Sequence, residues 1–239
     1  MKPLFSVITA THNRADFLRQ NIRSIQEQRC VGFTHEHIIV DNNSTDDTAD
    51  VVRAFMKDDP RIIYIHNPRN LGPGDALNVG YARATGDLVV PLDDDDMLPL
   101  SSLQFRHNFF QEYPDVEWAY GHCIFIDKDN KLWKDLLEYR VTYEEKGSTL
   151  DNLFGRNFIP NGTVTIKRDC IKAVGGWDTE LSTQDFDMWL KLAHADFTLG
   201  YMQSYLCYYR VHPNQLTKLH LKDGTIQREG AYYRKKYGK

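Results

Sequence analysis

With 239 residues, 41 % hydrophobic, 26 % charged and a formal net charge of −4, the chain has the profile of a soluble globular protein of one large domain or two small ones. The mild acidity leaves no whole-chain case for nucleic-acid binding, and the lack of an 18-residue apolar run argues against a membrane span. Cys30, Cys123, Cys170 and Cys207 are scattered without a C-x-x-C pair, which predicts core thiols in a reducing compartment rather than a zinc site or a disulfide framework.

Met1 to Leu4 leads directly into an apolar segment without a signal-peptide core, so a cytoplasmic protein is expected. Residues 4–10 predict a strand, and residues 14–29 a helix with Leu18, Ile22 and Ile25 on one face. Ile38, Ile39 and Val40 predict a second buried strand ending at Asp41. Ser44 or Thr45 is then expected to cap a helix carrying Val51, Val52 and Phe55. Ile62 to Ile65 reads as a third strand. Gly72-Pro73-Gly74 breaks the chain before a helix with Ala76, Leu77 and Ala84, and residues 87–92 form the fourth strand. This alternation predicts a mostly parallel sheet flanked by helices. Beyond it, 99–112 predicts a helix with Leu103, Phe105, Phe109 and Phe110 as its apolar set. Residues 117–126 predict a strand, 127–131 a turn, 163–167 and 205–211 further strands, and 184–195 a helix; 134–160 gives the weakest pattern. The whole of 1–239 reads as one domain with two functional halves divided near residue 100.

Three strand ends in the first half are polar: Thr9-Ala10-Thr11-His12-Asn13, Asp41 to Asp46, and the run Asp93-Asp94-Asp95-Asp96. In a parallel sheet these ends share one rim, where open α/β sheets bind ligands. Strand alternation would point Asp93 and Asp95 the same way. Packed carboxylates raise each other's pKa unless a cation neutralises them, and the natural partner is Mg²⁺ or Mn²⁺. A solvated acidic turn is the plain alternative for Asp93 to Asp96, and helix capping for Asp41 to Asp46. A calcium loop over 41–52 is disfavoured, because Asp46 stands where Gly is needed and Val52 where Glu is needed.

Taken in order, several segments resemble family 2 of the inverting glycosyltransferases with the GT-A nucleotide-sugar fold, over roughly residues 4–215. They are Ser6 to Arg14, Ile39 to Thr48, Asn70-Leu71-Gly72, Ala76 to Gly80, Ala84 to Asp87, Leu92 to Asp96 with Pro99, Gly175-Gly176-Trp177-Asp178, Gln184 to Leu190, and Tyr209 to His212. The resemblance implies an α/β GT-A domain with a nucleotide-sugar half at about 1–99, an acceptor half at 100–215, and a tail at 216–239. Asp93 and Asp95 look like the D-x-D pair that engages the donor and its Mn²⁺ or Mg²⁺, with Asp94 in the same loop and His212 as a further metal or diphosphate contact. Thr9, Ala10, Thr11, Asn13, Asp41, Asn42 and Asn70 would surround the nucleotide. Asn42 stands where the family often has a second acid, and no residue matches the family's basic nucleotide contact, Arg69 being only nearby. Trp177 would stack on a sugar, or serve as a core indole.

Asp185 matches the catalytic base of the family, with Gln184 in place of the usual Glu. Read from the residues alone, Asp185 is equally an acid in the first turn of an amphipathic helix. The implied partners are a nucleotide-diphosphate sugar and a saccharide, glycolipid or other hydroxyl acceptor. The tail sets Arg228, Arg234, Lys235, Lys236 and Lys239 against Glu229, with Tyr232, Tyr233 and Tyr237 interleaved. It reads as a solvated terminal helix or frayed end, or as a peripheral contact at the inner face of a membrane. Two rival readings are a haloacid-dehalogenase-like phosphohydrolase, which wants Thr or Val where Met97 stands, and a non-catalytic nucleotide-sugar or polysaccharide-binding module.

Overall fold

The computed structural model describes residues 2–133, 149–155 and 157–238. Most of the weakly patterned stretch 134–160, and Lys239 of the tail, lie outside them. The first half follows the expected alternation: β1 (Phe5–Thr11), α1 (Ala15–Gln26), β2 (His35–Asp41), α2 (Thr48–Met56), β3 (Ile62–His66), α3 (Pro73–Arg83) and β4 (Leu88–Pro91). These strands pair in parallel in the order β3-β2-β1-β4, so the ends at Thr11, Asp41 and Pro91 open onto one rim.

Strand alternation sorts the core. Ile8, Ile38 and Val40 face α3 and the tryptophans Trp118, Trp177 and Trp189. Val7 and Val90 face the opposite side, and Ile39 packs there with Leu18 and Ile22 of α1. Gly80 lets α3 approach, because a Cβ there would lie 2.5 Å from the Ile8 Cγ2.

The second half is mixed. It comprises α4 (Ser102–Glu112), β5 (Trp118–Ile126), α5 (Thr149–Gly155), a 3-10 turn (Asn161–Thr163), β6 (Thr165–Lys167), α6 (Arg168–Ala173), α7 (Gln184–His194), β7 (Leu199–Arg210), α8 (Leu216–Lys222) and α9 (Thr225–Tyr237). Among the described residues one seven-stranded sheet results, extended from β4 by β6, β5 and β7. β6 runs antiparallel to both neighbours, while β5 and β7 are parallel.

Four expectations change. β7 begins at Leu199 rather than 205, because its polar first half is carried by pairing with β5. Phe105 is 50 % exposed and belongs to the outer face of α4. Neither Ser44 nor Thr45 caps α2. The helix starts at Thr48, whose N–H and hydroxyl both donate to Asp46, and Ser44 instead accepts from the Asn13 N–H. The tail is no frayed end: α9 buries Tyr233 and Tyr237 against α7, and the Tyr237 hydroxyl donates to buried Asp187 at 2.7 Å.

Candidate active site

The parallel rim and the second half enclose a cavity of about 920 Å³. Ala10, Thr11, Asn42, Asn70 and the three residues Asp93 to Asp95 line it from one side, with Asn161, Asp185, Leu216 and Tyr233 among those on the other.

The aspartate run is a turn after β4 and not a strand continuation, so its four carboxylates separate by task rather than by alternation. Asp96 turns inward, is 2 % exposed, and accepts the Arg210 N–H at 2.8 Å. The Asn21 amide donates to the carbonyls of Asp93 and Asp96 at 3.0 Å each, and the Arg210 Nε to that of Asp95 at 2.7 Å. The turn is thereby fixed from below, and Asp93, Asp94 and Asp95 face the cavity.

Asp93 accepts from the Asn161 amide at 2.9 Å. Asn161 reaches it because Gly162 lets the 3-10 turn press on β7; a Cβ there would lie 2.6 Å from the Cys207 Sγ. The Asp95 Oδ2 lies 2.9 Å from both the Arg14 Nη1 and the His212 Nε2. Burial, then the charges of Asp95 and Asp185, push Asp93 up to about 8. Burial and Asp95 push Asp94 up to about 7, against the pull of Arg14, and Asp96 is raised as well. The turn therefore carries more negative charge than its surroundings neutralise.

Hard oxygen donors and uncompensated charge suit a divalent ion such as Mg²⁺ or Mn²⁺. Among the described residues no three His, Cys, Asp or Glu groups form a ready cage. That fits an ion held by one or two carboxylates together with substrate phosphates. The Asn161 Oδ1, buried without a partner, is a further acceptor beside Asp93. His212 is 4 % exposed; its Nδ1 accepts the Asn214 N–H at 3.3 Å, and its Nε2 lies 2.9 Å from the Asp95 Oδ2 and 3.2 Å from the Arg14 Nη1.

The other rim residues divide. Asn42 is the hub of its loop: its amide donates to the Asn70 Oδ1 at 2.8 Å and the Gly72 carbonyl at 2.9 Å, and its Oδ1 accepts from Asn67 at 3.0 Å. Asp41 is fully buried and off the cavity wall. Burial alone would raise it, but hydrogen bonds from Tyr64 (2.6 Å) and Ser44 (2.8 Å) outweigh this and hold its carboxyl low. Thr9 points into the sheet, 3.1 Å from the His37 Nε2. Asn13, at φ 53°, ties two rim loops together by accepting the Thr45 N–H at 2.7 Å. Trp177 does not face the cavity. It is 2 % exposed, edge-on to Tyr81, with its backbone gripped by Asn78. The Gly-Gly pair before it serves that packing, since a Cβ on Gly176 would meet the Asn78 Oδ1 at 2.5 Å. Arg69 is exposed and away from the wall.

Asp185 lies in the first turn of α7, across the cavity from Asp93, and burial raises its pKa. The start of α7 is held from outside its own helix. Glu229 of α9 accepts the N–H groups of Ser182 and Thr183 at 2.8 Å each and the Thr183 hydroxyl at 2.6 Å. Sequence reasoning missed Arg14, Asn161 and Glu229 as site-shaping residues. Arg14 closes the first resemblance segment and Glu229 is the acid among five tail cations, which were usable signals. Asn161 carried none.

The model for "Glycosyl transferase family 2" matches residues 6–172. An uncharacterized glycosyltransferase of Methanocaldococcus jannaschii is 26 % identical over 215 residues, 90 % of this chain and 72 % of the relative. A putative teichuronic acid biosynthesis glycosyltransferase of Bacillus subtilis is 29 % identical over 219 residues, 90 % of this chain and 82 % of the relative. Among solved structures, the mannosyltransferase PcManGT of Pyrobaculum calidifontis, in complex with GDP-Man and Mn²⁺, superposes with TM-score 0.76 at 20 % identity, over 100 % of this chain and 66 % of that one. S. aureus TarS 1–349 in complex with UDP-GlcNAc gives TM-score 0.72 at 19 % identity, over 91 % of this chain and 61 % of that one. This chain thus spans about three-fifths of the solved TarS fragment.

Proposed function

Because the chain belongs to glycosyl transferase family 2, we propose that it moves a sugar from a nucleoside-diphosphate donor to an acceptor hydroxyl, in one displacement that inverts the anomeric centre. One observation carries the reading: a half-buried carboxyl, Asp185, faces a charge-loaded aspartate turn across a single cavity. The turn sits where the diphosphate of a donor spread along the parallel rim would end. Asp93 and Asp95, with the His212 Nε2 beside them as an unprotonated ring nitrogen, would hold Mn²⁺ or Mg²⁺ together with the diphosphate. When bound, that ion supplies charge neutralisation for the leaving nucleoside diphosphate.

The bond from acceptor oxygen to anomeric carbon forms as the bond from that carbon to phosphate oxygen breaks, and the electron pair leaves with the diphosphate. Asp185 takes the acceptor proton. Its burial raises its pKa and with it its basicity, and general-base help is worth roughly 10²–10⁴-fold. Asn42 and Asn70 line the nucleotide end and order the loop that a base would meet. Asp41 and Thr9 act behind that surface, and Trp177 supports it from the core.

Relatives named for teichuronic acid synthesis and for a β-1,3-glucosyltransferase acting on a PP-undecaprenol-linked glycan favour a saccharide or glycolipid acceptor in surface-glycan synthesis. The latter, from Campylobacter jejuni, is 40 % identical over 137 residues, 56 % of this chain and 42 % of the relative. Among the described residues no helix is long and apolar enough to cross a membrane. A peripheral place on the cytoplasmic face would meet such an acceptor, and loss of liposome co-sedimentation on changing exposed Arg234 and Lys235 to Glu, with Glu229, Tyr233 and Tyr237 kept, would support contact through the tail.

The test is transfer from UDP-, GDP-, dTDP- and CDP-linked sugars, with and without Mn²⁺. Asp185→Asn is expected to lose turnover by roughly 10²–10⁴-fold and to keep donor binding. Normal transfer by that variant would remove Asp185 as the base. Binding without turnover in both forms would favour the binding-module alternative. The phosphohydrolase alternative leaves Asp185 and the second half without a task.

A further inference from the structure

Arg14, just ahead of α1, is a cation that meets a carboxylate of the aspartate turn directly. Its Nη1 lies 2.9 Å from the Asp95 Oδ2 and 3.2 Å from the His212 Nε2, and its Nη2 donates to the Asn214 carbonyl at 3.2 Å. The ion pair is largely enclosed, with Arg14 21 % and Asp95 14 % exposed. The guanidinium therefore stands on the Asp95 Oδ2, one of the two carboxylate oxygens a divalent ion could use. An ion at about 2.0–2.2 Å from that oxygen would lie within contact range of the guanidinium, so like-charge repulsion makes the two occupancies exclusive.

We propose that Arg14 is the resident counter-ion of the turn and is exchanged for the divalent ion as a nucleoside diphosphate arrives. The inference rests on the proposed metal role of Asp95. A bare divalent ion would have to displace Arg14 from its Asp95 partner and would bring no new anion to replace it. A diphosphate changes this, because its oxygens offer the planar guanidinium fork a second, bidentate partner in the same cavity. Arg14 would then pass from Asp95 to the diphosphate by side-chain rotation while the ion takes its place. Metal and diphosphate binding become mutually favourable, and each must strengthen the other by the same factor.

The experiment is Mn²⁺ titration without nucleotide, read by the EPR signal of free Mn²⁺, on the wild type, Arg14→Gln, Arg14→Lys and Asp95→Asn. The wild type and Arg14→Lys are expected to bind Mn²⁺ weakly, Arg14→Gln at least tenfold more tightly, and Asp95→Asn not at all. Equal or weaker binding by Arg14→Gln, with Asp95→Asn still abolishing binding, overturns the counter-ion role and leaves the metal reading intact. No Mn²⁺ bound by either the wild type or Arg14→Gln, both folded, overturns the metal reading of Asp95 and this inference with it. Should Arg14→Gln not fold, the wild type supplies the decision through ¹⁵N resonances of its arginine guanidinium groups. The Arg14 signal is expected to shift on adding UDP or GDP with Mg²⁺, and not with Mg²⁺ alone. A signal indifferent to every combination, while one of them raises the melting temperature, overturns the exchange.

Discussion

The two halves of the sheet are held in different ways. From Phe5 to Pro91 the sheet is parallel, and Ile8, Ile22, Ile38 and Val40 are fully buried between close-packed elements. Its strand ends need little help to form a rim. From Ser102 onward the strands are mixed, and polar side chains from distant segments fasten the parts. Arg106 is fully buried and donates to the carbonyls of Gly162, Thr163 and Val164 and to the Thr165 hydroxyl, at 2.6 to 2.9 Å. It meets this cluster without a carboxylate, and burial lowers its pKa to about 9. Glu229 fastens α9 to the start of α7 in the same manner. The lesson is that the donor side is built by apolar periodicity, while the side carrying Asn161 and Asp185 is built by a few buried polar bridges.

The largest test of that contrast is Arg106→Met, which keeps much of the volume and leaves three buried carbonyls without their donor. A loss of at least about 3 kcal/mol is expected, since an unsatisfied buried group costs about 1–3 kcal/mol and several are created at once. Ile22→Val, a core trim in the first half, should cost only about 0.5–1.5 kcal/mol. Urea unfolding of both variants reads the difference. A loss below about 1 kcal/mol for Arg106→Met would mean that apolar packing holds the second half too.

Glu229→Ala comes next. It removes an external cap from α7, worth about 1–2 kcal/mol. Because Asp185 is two residues beyond Thr183, kcat should fall by more than KM for the donor rises. Glu229→Gln, which keeps one acceptor oxygen, should recover part of the loss. A rise in KM with kcat unchanged would place the influence of α9 on the donor side.

This division also explains what was readable beforehand. The first half was visible nearly element by element, because buried parallel strands are short apolar runs and their helices carry a clear apolar face. The family resemblance put forward Asp93, Asp95 and Asp185 for the site, and said nothing of what holds them. The Asn161–Asp93 contact links residues 68 apart and the Glu229–Thr183 contact residues 46 apart, and no local pattern announces either. Trp177 shows the opposite failure. Two glycines before an indole look like an open sugar platform, yet here the glycines make room for Asn78 and the indole fills the core. Asp41 likewise reads as a ligand at a strand end, and Tyr64 and Ser44 already occupy its carboxylate.

The smallest expected effect is a pH dependence that reads the two regions separately. Burial, with its neighbour His35, lowers His37 to about 3, and burial with Arg61 lowers His35 to about 4. These two lie in β2. Their unfolded values are near 6.5, so the unfolded chain binds more protons below that pH and stability falls as pH drops. The aspartates run the other way. Asp93 and Asp94 hold their protons up to about 8 and 7, whereas in the unfolded chain they lose them near 3.9. The native state therefore binds the extra protons between those limits, and stability falls as pH rises through them. From about pH 4 to 6.5 the two trends oppose each other. Above 6.5 the histidines are neutral in both states and the aspartates act alone. Metal-free protein should thus lose melting temperature from pH 6.5 to 8.5, at up to roughly 1.4 kcal/mol per pH unit for each proton released. Asp93→Asn should flatten that slope, and so should Mn²⁺ supplied with a bound nucleotide, because a fixed cation removes the reason for the carboxyls to stay protonated. Between about pH 4 and 6 Asp93→Asn should also remove its share of the opposing aspartate trend, so the rise of stability with pH that β2 supplies becomes steeper there. If Asp93→Asn altered the acidic limb and spared the alkaline one, the charge would have been placed in the wrong region of the sheet.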